Sequence, residues 1–258
     1  MKLTRRAKVG NVYLDEVHPA IVITGMDPGT STESYTTQDR MLGWGRRITS
    51  SRWQPLEATV SFAIDIPKKK LAARREVFDA AVAWAQGGTW LTFNSQPARR
   101  LSFDKVDMPA AGDLFDWTNE YTFTFHAETV PFWQNQAAVT VVKNSIRKGS
   151  ITIDVGGTAP SVLDLTFENI SGQTIANVII NVGNNPAAAL TGVNMAASET
   201  LSFKHNRQDI LSITSGSRNV YGLLTGADDL YTNPGKVTVA IDASRTGKLT
   251  VTNYARWL

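Results

Sequence analysis

Cysteine is absent from the 258 residues. That excludes a disulfide framework, thiolate metal sites, iron–sulfur clusters and cysteine catalysis. Histidine is scarce: His18, His126 and His205 stand far apart, without metal-ligand spacing. Apolar runs extend over only a few residues, so no segment reads as a transmembrane helix and no membrane insertion is expected. The basic start Met1–Lys8 leads into no apolar stretch, which reads against a Sec-type signal peptide. Excess charge of one sign is also small. Twenty-six Lys+Arg against 23 Asp+Glu leave +3, too little to point to a sequence-specific nucleic-acid partner.

What is present is a globular composition, 42% hydrophobic and 19% charged, long enough for one large or two small domains. The composition changes near residue 133. Residues 1–133 hold Asn11, Asn94 and Asn119, whereas the remainder holds twelve asparagines; six of the seven tryptophans lie in the first part. Two separate cores are therefore expected, a domain over 1–130 and another over 137–258. The join falls in Glu128–Gln136, where Pro131 interrupts a strand pattern because it cannot donate to a ladder.

In the first part, Asn11–Leu14 and Ala20–Thr24 read as strands. Gly25–Gln38, rich in Gly, Pro, Ser and Thr, reads as a long loop of the kind that carries function. Ala58–Ile66 alternates, with Val60, Phe62, Ile64 and Ile66 on one face, and Glu120–Glu128 does so again through Tyr121, Phe123, Phe125 and Ala127. One helix is predicted over about 69–86. Leu71, Phe78, Ala81, Val82 and Ala85 form its apolar stripe, Arg74 and Arg75 lie largely off it, and Gly87-Gly88 closes it as a left-handed cap. Thr89–Phe93 and Arg100–Phe103 read as a hairpin. The second part reads as eight short strands: Ala138–Val142, Ile151–Val155, Val162–Glu168, Asn177–Val182, Thr200–Phe203, Ile210–Thr214, Lys236–Ile241 and Lys248–Tyr254. Turns such as Thr246-Gly247 divide them, and Ala187–Ala197 is left unassigned. This points to a β-sandwich.

No constellation of acid, base, nucleophile or metal ligand emerges. Asp15-Glu16-Val17-His18 reads as a polar strand end whose neighbouring side chains point to opposite faces. Gly43-Trp44-Gly45 lacks the context of a phosphate loop, and no serine elbow is present. Asp228-Asp229 lacks the spaced acidic positions of a calcium loop. No catalytic residue, cofactor or metal is therefore assigned. Lys68-Lys69-Lys70 with Arg74 and Arg75 is the densest basic run, either a solvated helix start or a contact for an acidic surface.

Several phrases together resemble a known family: the helix Leu71–Gln86 running into Ala83–Leu101, Tyr121–Glu128 with Val130-Pro-Phe-Trp133, Tyr231–Val239, and Lys248–Leu258. They resemble the distal tail protein (Dit) family of long-tailed, siphovirus-type bacteriophages, over nearly the whole chain. The resemblance implies a mainly β fold. Its N-terminal part would be a sandwich or barrel-like tube domain with one α-helix, and its C-terminal part a galectin-like β-sandwich. It also implies a non-enzymatic virion protein of the tail tip, assembled in the host cytoplasm. Six copies would close into a ring that joins the tail-tube protein above to the tail-tip or baseplate hub protein below and lets DNA pass. The tape-measure protein and receptor-binding or side-fibre proteins are further partners on that reading.

A closed ring uses head-to-tail interfaces. The expected interface residues are Met41, Leu42, Trp44, Arg46 and Arg47, in the segment after the Gly25–Gln38 loop, and Lys68, Lys69 and Lys70. Met41, Leu42 and Trp44 are costly to leave in water; they pack on a neighbouring subunit or ring, or Trp44 simply covers its own domain. Two other readings stand beside this one: a stand-alone carbohydrate-binding β-sandwich, and a tail-tube or other ring-forming virion protein.

Overall fold

The computed structural model describes residues 5–39, 46–109, 120–227 and 230–258. Of Asp39, Arg46 and Arg47 it describes the backbone. The chain divides into two compact units, Met1–Gln134 with Leu258, and Asn135–Trp257. It is mainly β.

The first unit runs β1 (Ala7–Val9), β2 (Val12–Tyr13), α1 (Leu14–Val17), β3 (Ile21–Asp27), β4 (Glu33–Asp39), β5 (Arg46–Trp53), β6 (Leu56–Ile64), α2 (Leu71–Gln86), β7 (Trp90–Phe93), β8 (Arg99–Ser102), β9 (Lys105–Asp107) and β10 (Glu120–Ala127). Strands β3-β6-β10-β9 form one antiparallel sheet. Strands β2-β1-β7-β8 follow one another in a second. The alternation read from the sequence decides which face is inside. Leu56, Ala58, Val60, Phe62 and Ile64 of β6, and Tyr121, Phe123, Phe125 and Ala127 of β10, are buried. The rings of Phe62 and Phe123 stack at 5.2 Å, and Phe103 meets Phe125 edge-on at 4.9 Å.

Helix α2 covers this face. Its buried stripe is Arg74, Val77, Phe78, Ala81, Trp84 and Ala85, rotated from the one expected, and Leu71 is 45% exposed. Phe78 meets Tyr121 edge-on and Trp84 meets Phe125, so the aromatic side chains set the rotation by the area they bury. Arg74 is the surprise. Only 1% of it is exposed. Its guanidinium donates to the carbonyls of Ile64 (3.3 Å) and Ile66 (2.7 Å) and to the Tyr121 hydroxyl (3.2 Å), at the end of β6 where carbonyls leave the ladder. Burying this charge is tolerable because those donors are used. The helix does not end in a left-handed cap: Gly87 has φ −76°. The glycine that matters is Gly88, where a Cβ would lie 2.9 Å from the Gly10 nitrogen.

Strand β11 (Trp133–Asn135) carries the boundary. The second unit continues with β12 (Val139–Val155), β13 (Ser161–Asn169), β14 (Ile175–Val182), β15 (Ala188–Met195), β16 (Thr200–His205), β17 (Leu211–Ser215), β18 (Arg218–Asn219), β19 (Leu224–Gly226), β20 (Tyr231–Thr232), β21 (Gly235–Asn253) and β22 (Arg256–Trp257). The sheet order is β18-β17-β16-β13-β21-β14-β15-β19, with β12 on β21 and β20 on β13. Its buried side chains form one cluster, from Ile146 to Val251, around Phe167 and Phe203. Each large side chain fully buried there contributes about 1.5–3 kcal/mol.

The eight short strands expected here fall on six observed ones, β12, β13, β14, β16, β17 and β21, because two pairs of them merge. Ala138–Val142 and Ile151–Val155 are the ends of β12, bent by irregular register between Lys143 and Lys148. Lys236–Ile241 and Lys248–Tyr254 are the two halves of β21, which pairs with β14 over Val239–Ala243 and with β13 over Gly247–Asn253. Thr246-Gly247 is no turn. A Cβ at Gly247 would lie 2.3 Å from the Phe167 ring, so glycine there makes room for a core side chain. Ala187–Ala197, left unassigned from the sequence, is the site of β15.

Candidate functional site

The most distinctive surface of the first unit is the ribbon β4–β5. The Gly25–Gln38 segment is mostly not a loop: β3 extends to Asp27, and β4 begins at Glu33. Strand β4 pairs antiparallel with β5 from Glu33↔Trp53 to Asp39↔Arg46, and the two form a sheet of their own. Seven residues of extended chain reach about 23 Å.

The base of this ribbon is fixed. Trp133 Nε1 donates to the Pro28 carbonyl (3.0 Å), and Trp53 meets Phe132 edge-on at 5.2 Å. Ser31 donates to the Gln54 carbonyl (2.9 Å), and the Gln54 amide to that of Thr32 (2.8 Å). Gly29 is left-handed (φ +63°), and any Cβ would collide with the Glu57 carbonyl 1.9 Å away; glycine is required for this turn to sit against β6.

Beyond its base the ribbon is exposed. Tyr35 is 55% exposed and Ile48 58%, and Thr36, Thr37, Gln38 and Thr49–Arg52 are exposed as well. Short polar links hold its register. Thr49 donates to the Thr36 carbonyl (3.1 Å), and the Tyr35 hydroxyl donates to Glu33 (2.8 Å). Hydrogen bonds from Ser51 and Tyr35 hold the Glu33 carboxyl below its ordinary pKa, and the same carboxylate raises that of Tyr35. A two-stranded ribbon without a covered face is marginal in water. This one leaves the aromatic ring of Tyr35 and the apolar side chain of Ile48 in water.

Of the expected interface residues, Met41, Leu42 and Trp44 lie outside the described residues. Arg46 and Arg47 open β5, in register with Asp39 and Gln38. Lys68, Lys69 and Lys70 are exposed in the turn before α2, with Lys70 at the N-cap position and no side-chain cap. Cations at that end oppose the helix dipole. The carboxylates of Asp15 and Glu16 do not point apart as strand residues would. They sit in the single turn α1, and both bind Arg6: its Nε donates to Asp15 Oδ2 (2.8 Å), and Nη2 contacts Glu16. The hydrogen bonds that Arg6 donates to Glu16 and then to Asp15 raise its pKa. His18 Nδ1 accepts from the Ala20 amide. Asp228-Asp229 lies outside the described residues. Among the described residues, no group of three His, Asp or Glu side chains is placed to hold a metal.

No family model matches the sequence, and no curated protein is similar to it. The fold is nevertheless found among solved structures, in chains of bacteriophage adsorption and baseplate assemblies. The Dit protein of phage SPP1, whose crystal structure is described as a paradigm of the hub adsorption apparatus in phages infecting Gram-positive hosts, matches with a TM-score of 0.68 at 11% identity, over 99% of this chain and 100% of that one. A chain of the phage P2 baseplate in its activated conformation with Ca matches with a TM-score of 0.50 at 6% identity, over 98% of each. The structure therefore shares its fold with a member of the family that the sequence resembles.

Proposed function

We propose that this chain is a structural component of a phage tail tip: a non-enzymatic distal tail protein that closes into a six-membered ring. On this reading, the ring joins the tail tube to the proteins of the tip and leaves a channel for DNA. The observation that carries it is the fold shared with the SPP1 hub protein over the full length of both chains. The exposed ribbon supports it, because a head-to-tail ring needs a protruding patch on one copy and a receiving patch on the next. Covering Tyr35 and Ile48 on a neighbouring copy buries apolar area that is otherwise in water. The mechanism is geometric: edges and arms set the ring, and no bond is made or broken. Lys68–Lys70 belong at an interface or on the outside, since a wall of cations would retain phosphates in the channel.

Particle mass tests this directly. Six copies of the 28.2 kDa chain give 6 × 28.2 = 169.2 kDa. Mass photometry of the purified protein is expected to find that species, with rings visible by negative stain. A double variant Tyr35→Ser, Ile48→Ser is expected to fall to monomer while its far-ultraviolet circular dichroism is unchanged, since both side chains are exposed. Long tubes in place of single rings would assign the chain to the tail tube. Rings that survive the double variant would refute the role of the ribbon.

A further inference from the structure

We propose that the second unit carries a saccharide-binding pocket, built by the turns at Gly183–Asn185 and Tyr231–Lys236. The site is independent of ring formation.

A cavity of about 530 Å³ opens there, between the end of β14 and the start of β21. Its size is that of small-molecule sites, roughly 300–1,000 Å³. The lining is unusual in kind. It brings together one partly exposed aromatic ring, Tyr231, three carboxamides, Asn184, Asn185 and Asn233, and one charged side chain, Lys236. Tyr231 is 38% exposed. A phenol ring offers an apolar face to the C–H side of a pyranose. Carboxamides both donate and accept, which matches the hydroxyl groups on the sugar's rim. A phosphate site would call for converging cations or backbone amides, and a metal site for carboxylates; the lining holds one lysine and no carboxylate.

The ring is held before any ligand arrives. Its hydroxyl donates to Asp209 Oδ2 (2.9 Å). Asp209 is locked in turn by Arg256, whose Nη1 donates to Oδ2 (2.8 Å) and whose Nη2 donates to Oδ1. The Asn185 side chain donates to the Tyr231 carbonyl. Preorganisation of this kind lowers the ordering cost of binding. Asn184 and Asn233, by contrast, are exposed and make no side-chain hydrogen bond within the described residues. Their amides are available to a ligand. Lys236 stands opposite Asp154 in register and forms no ion pair among the described residues, so its ammonium favours a saccharide that bears an anionic group.

The test is a glycan array printed with neutral and anionic saccharides, probed with the full chain and followed by calorimetric titration of the best binder. Saturable binding is expected, tighter for anionic saccharides. Asn184→Ala and Asn233→Ala should each weaken it by about fivefold, the loss of one neutral hydrogen bond, at unchanged melting temperature. Lys236→Gln should remove the preference for anionic saccharides. Tyr231→Phe should retain binding because the stacking face remains, even where loss of the hydroxyl lowers stability. Absence of saturable binding to any saccharide overturns the proposal, as does binding that all three pocket variants leave untouched. Particle mass is read separately, so loss of sugar binding with intact rings refutes the pocket alone, and a sugar-binding monomer refutes the ring alone.

Discussion

Replacing Gly247 by alanine is a one-carbon change with a large expected cost. The added Cβ would lie 2.3 Å from Phe167 Cζ, 2.4 Å from Cε2 and 2.6 Å from the Glu168 carbonyl oxygen. Each separation is well inside van der Waals contact, and none involves the free end of a flexible side chain. The Phe167 ring is fully buried, so it cannot swing into solvent. The backbone of Gly247 is held on both sides, opposite Asn169 in β13 and Ile146 in β12. Overpacking in a filled core costs typically 1–3 kcal/mol; two unyielding neighbours place this case at about 3 kcal/mol. For a unit of this size the loss corresponds to about 10 °C in melting temperature. Calorimetry of the full chain is expected to show one transition shifted by that amount and another in place. Combining Gly247→Ala with Phe167→Leu, which removes the offending ring atoms, should recover about 1–2 kcal/mol relative to the sum of the single changes. A loss below about 1 kcal/mol, or strict additivity in the pair, would refute the assignment of Gly247 as a packing glycine.

Three further outcomes are expected. Asp209→Asn keeps a residue that tolerates the positive φ of 59° at that site but leaves the Arg256 guanidinium, 2% exposed, without its anion. Denaturant unfolding should register a loss of about 3 kcal/mol, and a loss confined to a few tenths would contradict a buried pair. Lys70→Ser supplies the missing N-cap of α2 and removes a cation from the positive end of its dipole, so the urea midpoint should rise by the equivalent of about 1 kcal/mol; a fall would be contrary to this account. Hydrogen bonds from Lys105 and then His126 hold the Asp107 carboxyl below its ordinary value of 3.8. Because the folded pKa is depressed, its contribution is complete above 3.8 and is lost as pH falls through the lower folded value. An NMR titration should find the midpoint below 3.8 and see Lys105→Ala move it upward; a midpoint indifferent to that change would reject the assigned cause.

Where one face of an element is buried and the other wet, the sequence carried the answer. The alternation in Ala58–Ile66 and Glu120–Glu128 corresponds to β6 and β10, because Phe62 and Phe123 must point inward together. The ribbon β4–β5 has no buried face beyond its base, so its residues show no apolar period, and Ser, Thr and Gly read as a loop. Arg74 was legible as a surface charge and nothing more; the carbonyls that receive it, at Ile64 and Ile66, become available only where β6 ends. Glycine was the most misleading letter. Gly88 and Gly247 read as punctuation but mark close approaches, to Gly10 and to Phe167, and local sequence holds no trace of a neighbour that arrives from a distant segment. The pocket was hidden for the same reason, since Gly183–Asn185 and Tyr231–Lys236 are brought together by the pairing of β14 with β21 and of β20 with β13.

Strand β21 has a mechanical consequence. It is one unbroken 19-residue run, yet its first half is zipped to β14 and its second half to β13, with β12 alongside both. Tension applied to either flank is therefore carried along a single covalent backbone into the other. Each flank is bonded to its own stretch of β21, while β12 is bonded along both. A unit tied in this way would pass load from one flank to the other through covalent bonds, as a solid link and not as a hinge.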